Sequence, residues 1–305
     1  MRKEFAQTIG KIAVKNNKII FLTGDLGFMA LENVRSALKE RFINAGVSEQ
    51  NIITMAAGLA SEGLIPICYS IAPFIVFRPA EQIRLDICLH NMNVKIVGNG
   101  GGYGYGIMGA THHAIEDIAV ISSFQHIKCF IPFCNEDTEE VTKQMMKHIG
   151  PSYLRLGYGQ KPEKLDIPIY NQIRKLIAGD SITIVAMGPI ALNVFRSLEL
   201  LGNTYGSRVD LFVVSELPLV EITEELESSI KKTKKLIVLE EHVRRGGLGE
   251  NLASLLLEKS INCKYIHLFA KGYPNGLYGS QSYHQKVSGI DTNSIVNTIK
   301  ELVNG

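Results

Sequence analysis

The sequence predicts an α/β protein of two domains, each a mainly parallel sheet flanked by helices. Three observations carry this. Short apolar runs alternate with amphipathic helical stretches along the chain, the pattern of strand–helix–strand units. A length of 305 residues exceeds what one core usually holds. The alternation breaks once, at the polar, aperiodic stretch "GYGQKPEKLDIPIYNQIRKLIAGD". We therefore expect one domain over 1–160, a linker over 161–178 and a second domain over 179–305.

The elements follow in order. "MRKEFAQTIGKIAVKNN" mixes charged and apolar residues at helical spacing and lacks the continuous apolar core of a signal peptide. "KIIFLTGD" reads as a strand, and "NIITMAAGLASEG" as a helix stopped by Gly63. "IPICYS" is a strand, "PAEQIRLDICLHNM" a helix and "VKIVGN" a strand. After a glycine-rich loop come helix "IEDIAVISSF", strand "IKCFIPF", helix "DTEEVTKQMMKHIG" and strand "SYLRLG". The second domain reads as strand "SITIVAMG", helix "ALNVFRSLELLG" and strands "VDLFVVSE" and "KLIVLEEH". Helix "LGENLASLLLEK", strand "KYIHLFA" and helix "NSIVNTIKELVNG" close it.

Composition narrows the function. The net charge is +2 with no basic stripe, so the chain is not expected to bind nucleic acid. No window approaches the roughly 20 apolar residues of a membrane helix, so no membrane partner is expected. The five cysteines include no CxxC pair, and several lie in apolar runs such as "LIPICYSI". That suits buried free thiols in a reducing cytoplasm.

Two stretches could carry chemistry. The loop "GNGGGYGYGIMG" contains GxGxxG, Gly104 to Gly109, between a strand and a helix. A dinucleotide site needs its first glycine at the strand end and an acid about 20 residues on; neither is present. The following "ATHHAIED" offers His112 and His113. No HxxxH or HExxH spacing supports a metal, and a substrate-facing acid/base histidine fits better. The second stretch is "FINAGVSEQNIITMAAGLASEG", where Glu49 opens an almost wholly apolar helix. As a first-turn acid it would add only about 0.3–1 kcal/mol. Behind it, however, "AAGLA" can pack closely and exclude water, and a carboxyl in a dry pocket is pushed toward its neutral, hydrogen-bond-donating form.

"GVSEQNIITMAAGLASEG", "IAPFIVFRPAEQIRLD", "MGATHHAIED" and "IVLEEHVRRGGLGE" resemble, in order and spacing, the C-terminal half of transketolase. They are also similar to deoxyxylulose-phosphate synthase and to the β subunits of 2-oxo-acid dehydrogenases. The resemblance implies a pyrimidine-binding domain followed by the family's C-terminal domain. It implies thiamine diphosphate as cofactor, with Glu49 hydrogen-bonding N1′ of the aminopyrimidine and favouring the imino tautomer that removes the thiazolium C2 proton. Phe74 and Phe77 fall where the family stacks aromatics on the pyrimidine, with Ala80 in place of a third. Asp25 of "TGDLG" matches an acid beside the cofactor. His112 matches a histidine that contacts the substrate, and His113 replaces a common Gln expected in the same channel.

The family's diphosphate-binding half, with its GDG motif for Mg2+, has no counterpart here. The resemblance therefore implies one half of a split transketolase. An N-terminal subunit would hold Mg2+ and the diphosphate, and a second copy of this chain would complete a heterotetramer. The reaction implied is transfer of a two-carbon ketol unit from a ketose to an aldehyde. Three departures bear on the sugar. Met108 replaces an acid that reads a donor hydroxyl, Gly100 a phosphate-binding histidine and Tyr158 a phosphate-binding arginine. An anion without a counter-charge is costly, so the expected substrate is not an ordinary sugar phosphate. The alternatives are a 2-oxo-acid dehydrogenase β subunit and a non-catalytic scaffold of the same fold.

Overall fold

The computed structural model describes residues 1–27, 29–202 and 208–304. Its strands in the first half are β1 (Ile19–Thr23), β2 (Phe42–Asn44), β3 (Ile65–Ile71), β4 (Lys95–Asn99), β5 (Lys128–Phe130) and β6 (Ser152–Leu156). The second half adds β7 (Ile173–Ile177), β8 (Ile182–Met187), β9 (Val209–Val214), β10 (Glu216–Leu217), β11 (Lys235–Glu240) and β12 (Lys264–Leu268). They form two sheets, ordered β10-β5-β6-β4-β3-β1-β2 and β12-β11-β8-β9-β7. All pairings are parallel except β10 with β5 and β7 with β9. Parallel sheets need cover on both faces, which is why β1, β3 and β4 are almost continuously apolar and buried.

The helices are α1 (Arg2–Lys15), α2 (Glu32–Leu38), α3 (Glu49–Ser61), α4 (Ala72–Phe77) and α5 (Ala80–Gln82), the last running into a π-helical turn at Ile83–Leu89. Then come α6 (Asp117–Ser122), α7 (Thr138–Lys147), α8 (Ala191–Leu201), α9 (Glu224–Thr233), α10 (Leu248–Glu258), α11 (Gln281–Ser288) and α12 (Thr292–Asn304). On one face of the first sheet, Phe5 of α1 stacks on Tyr69 at 6.0 Å. On the other face, Ile52, Cys68, Ile87 and Ile118 share a buried cluster. All five cysteines are free, and four are buried.

Several elements escaped the sequence reading, and two of them need correction in detail. Ile173–Ile177, inside the stretch expected as a linker, is an edge strand of the second sheet. Its alternating charges hid it: Arg174 is buried only because it forks onto Asp137 at 2.7 and 2.8 Å. The segment "EELESSIKKT", read as no element, is helix α9, with the Thr223 side chain accepting from Leu226 N–H.

The two halves share more than a connection. β10 extends the first sheet from the second half of the chain, and the Arg174–Asp137 fork spans the same boundary. The strand order of the first sheet reverses between β1 and β3, which opens a crevice at their C-terminal ends. Among the described residues no helix is long and apolar enough to cross a membrane.

Candidate active site

The crevice is built from three strand ends. Gly24 follows β1, Ser70 lies near the end of β3 and Asn99 ends β4. Glu49 enters from the turn between β2 and α3, where Gly46 adopts a positive φ of 73° that bends the chain into the helix. Its carboxylate is 3% exposed and accepts from Ser70 Oγ at 3.1 Å and from Arg78 at 2.8 Å. A Cβ on Gly24 would lie 3.0 Å from Gly46 O and 3.9 Å from Glu49 Oε1. The tight neighbour is the Gly46 carbonyl, so a side chain at Gly24 would crowd the turn that carries the acid.

The dry helix expected around Glu49 is not what the structure contains. One face of α3 is buried through Ile52, Ile53 and Ala56, but Thr54, Gly58 and Ser61 face outward. What closes over the carboxylate is a guanidinium. Arg78 forms an ion pair with Glu49 while stacking over the Phe74 ring, 3.9 Å from its centroid. The other edge of Phe74 meets His112, with ring centroids 5.2 Å apart. His112 is half-buried, has Nδ1 2.9 Å from the Thr111 hydroxyl and lies 5.8 Å from the Tyr105 ring. Tyr105 in turn accepts from the Asn99 amide at 2.8 Å. Glu49, Arg78, Phe74, His112, Tyr105 and Asn99 are thus linked by successive side-chain contacts.

Tyr105 also lines a cavity of about 360 Å3 whose walls include Arg2, Lys3, Gly100 and Tyr158. Among the described residues, neither Arg2 nor Lys3 forms an ion pair. Gly100 has φ of 81°, and any Cβ there would strike the Tyr105 ring. The tyrosine therefore occupies the room that a side chain at position 100 would need.

The structure separates several residues that the sequence grouped. His113 is 2% exposed and turned away from His112. Its Nδ1 meets the Tyr273 hydroxyl and its Nε2 the Gly106 carbonyl, both at 2.7 Å. With one nitrogen on the second domain and the other on the Gly106 carbonyl of its own loop, it does not share the channel expected for it. Burial holds its imidazole below the ordinary pKa. Phe77 is exposed and, among the described residues, has no aromatic partner, unlike Phe74. Met108 is exposed beside Ile107 at the rim. Asp25, at a positive φ of 57°, pairs with the Asn44 side chain on the far side of β1, in a separate cavity with Arg35 and Glu32. Among the described residues no three metal-ligating side chains cluster.

Arg78, Tyr105 and the Arg2–Lys3 pair escaped sequence reading. Arg78 was visible as the one charge in "PFIVFRP". Arg2 and Lys3 gave no signal, because their role depends on where α1 packs.

Fold and site together define a two-domain α/β chain with a cluster of contacting polar and aromatic side chains near the strand ends of the first domain. Transketolase's pyrimidine binding domain matches residues 1–160, and its C-terminal domain matches residues 171–295. The chain belongs to the transketolase family. It is 33% identical to an apulose-4-phosphate transketolase subunit of Actinobacillus succinogenes, over 84% of this chain and 83% of that one. The protein of that name in Phocaeicola vulgatus is 28% identical over 99% and 97%. A solved structure described as a split gene transketolase, inactive beta4 tetramer, superposes with a TM-score of 0.83 at 27% identity, covering 99% and 97%. The fold also recurs in the transketolase of Leishmania mexicana, with a TM-score of 0.78 at 16% identity, where it covers 45% of that chain.

Proposed function

We propose that the chain is the pyrimidine-binding and C-terminal subunit of a two-subunit transketolase that moves a two-carbon ketol unit from a ketose to an aldehyde. The observation that carries this reading is the run of contacts that joins Glu49, Phe74 and His112 through Arg78. The residues present fit the aminopyrimidine of thiamine diphosphate. A buried carboxylate faces the crevice, a phenyl face already accepts a flat nitrogen cation, and Gly24 clears the approach.

When bound, the cofactor supplies the carbanion chemistry of ketol transfer. Glu49 would hold a proton against its pyrimidine ring, with Ser70 fixing the carboxylate. Phe74 would provide the stacking surface. His112, oriented by Thr111, would donate to the substrate oxygens. Mg2+ and the diphosphate would be held by a separate N-terminal subunit in the cytoplasm, in an α2β2 assembly with two copies of this chain. The similar solved structure, described as a split gene transketolase, inactive beta4 tetramer, is consistent with the need for that partner.

The sugar reading sharpens. Arg2 and Lys3 face the cavity beside Gly100 and Tyr158, so counter-charge is available although the expected histidine and arginine are absent. We take the substrate to be a phosphorylated sugar of unusual shape, with apulose 4-phosphate the first candidate from the relatives' names. Met108 and Ile107 at the rim suit a sugar lacking the hydroxyl that an acid would read. The test mixes the chain with its N-terminal partner, thiamine diphosphate, Mg2+ and an aldose phosphate as acceptor. Turnover of apulose 4-phosphate, well above that of xylulose 5-phosphate with ribose 5-phosphate, is expected. Equal or better turnover of the ordinary pair would overturn the substrate reading, and no turnover of either would overturn the transferase.

A further inference from the structure

Arg78 makes two contacts at once that a bound aminopyrimidine would also need. Its guanidinium is a flat, nitrogen-edged cation. One face lies on the Phe74 ring, 3.9 Å from the centroid, and one N–H donates to Glu49 Oε2 at 2.8 Å. A flat ring stacked on Phe74 with its nitrogen edge toward Glu49 would occupy the same volume. Both cannot be there.

The contact is also built to come apart. Arg78 is 44% exposed although its partner is 3% exposed, so the cation sits at the mouth rather than in the core. Its backbone is helical, with φ −63° and ψ −47°. The Gln50 side chain holds the Arg78 carbonyl at 3.2 Å, so the main chain can stay while the side chain turns. Beside it is an open cavity of about 610 Å3 lined by Ser48, Glu49, Gln50, Asn51 and Arg78. Rotation about the side-chain bonds alone would swing the guanidinium into it.

We propose that Arg78 is a built-in occupant of the pyrimidine slot, closing it over Glu49 in the free subunit and swinging out when the cofactor enters. This rests on the reading that Glu49 and Phe74 receive the pyrimidine. The gain for the free chain is that Glu49 is never a buried charge without a partner, which would be costly. The consequence is a lowered apparent affinity. A slot open about one-tenth of the time binds about tenfold more weakly than an open one.

The test uses the full chain and thiamine, which carries the aminopyrimidine but no diphosphate and so needs no partner subunit. Thiamine titrations into wild type, Arg78→Ala and Arg78→Lys are followed by calorimetry. The Arg78 Nε–Hε resonance of 15N-labelled wild type is recorded in parallel. Arg78→Ala should bind about tenfold more tightly than wild type. Arg78→Lys, which keeps the charge but not the flat face, should fall between. Thiamine should shift the Arg78 resonance of the wild type. Equal or weaker binding by Arg78→Ala, with wild type still binding, would overturn the slot occupant and leave the pyrimidine reading standing. Binding that survives unchanged in Glu49→Gln/Arg78→Ala, or no binding by any variant, would overturn the pyrimidine reading and the occupant with it.

Discussion

Glu49 and Glu241 are both buried carboxylates, one in each domain, and they are held in opposite ways. Glu49 has one hydroxyl and one half-exposed arginine. Glu241 accepts from the Tyr103 backbone N–H at 2.6 Å, from Gln281 at 2.9 Å and from the Gln285 amide. Gly102 leaves out a Cβ that would collide with the carboxylate. The arrangement ties the glycine-rich loop to α11, and the stacking of Tyr103 on His284 at 4.8 Å adds to it. The difference teaches that burial can serve two ends. An acid whose oxygens meet several donors ties elements together. An acid held by one half-exposed cation is open to exchange, as the role proposed for Glu49 requires.

Breaking the first half of the comparison should give the largest effect. Glu49→Gln should cut turnover of the assembled enzyme by about 10³-fold while assembly, followed by size-exclusion chromatography, is unchanged. Activity within tenfold of wild type would remove Glu49 from the chemistry.

The second half should answer in stability instead. Glu241→Ala strands the Tyr103 N–H and two glutamine amides, at a cost of about 2–4 kcal/mol. Urea unfolding should register this as a lower midpoint, and a shift within error would mean that the loop is held elsewhere.

Two aromatics sharpen the site further. Phe74→Ala should weaken thiamine diphosphate binding to the assembled enzyme about tenfold. Phe77→Ala, at an exposed position, should stay within about twofold. The reverse order would mean that the stacking residue has been misassigned.

The smallest effect is a pH slope. Burial holds His113, His148, His242 and His284 below the ordinary imidazole value. The unfolded chain therefore takes up more protons than the folded one as pH falls through about 6.5. Stability present above that pH is lost below it. Glu241 acts in the opposite sense: burial raises its pKa, so its contribution favours the fold at acid pH and fades as pH rises. Urea midpoints at pH 7.5 and 5.5 should fall on acidification, less steeply in His113→Gln and more steeply in Glu241→Gln.

Much was legible in the sequence. Alternating apolar runs marked the interior strands of both sheets, because a strand buried on two faces must be largely apolar. Glu49 stood out as the lone acid opening an apolar helix. "ATHHAIED" marked the loop but not which histidine meets Phe74, since neighbouring residues diverge and packing decides. The strand Ile173–Ile177 was hidden because Arg174 looks like a surface residue until Asp137 is beside it.

The sequence alone therefore determined the fold class and the family, and it singled out Glu49, Phe74 and His112, which the structure links through Arg78. Only the tertiary structure decided their company. Arg78 lies 29 positions from Glu49, and Tyr273 lies 160 positions from His113. Arg2 and Lys3 reach the cavity beside Tyr158 from the opposite end of the first domain's sequence. Hydrophobic periodicity records which face of an element is buried. It does not record which distant side chain arrives there, because crossovers and packing, not local propensity, bring those groups together.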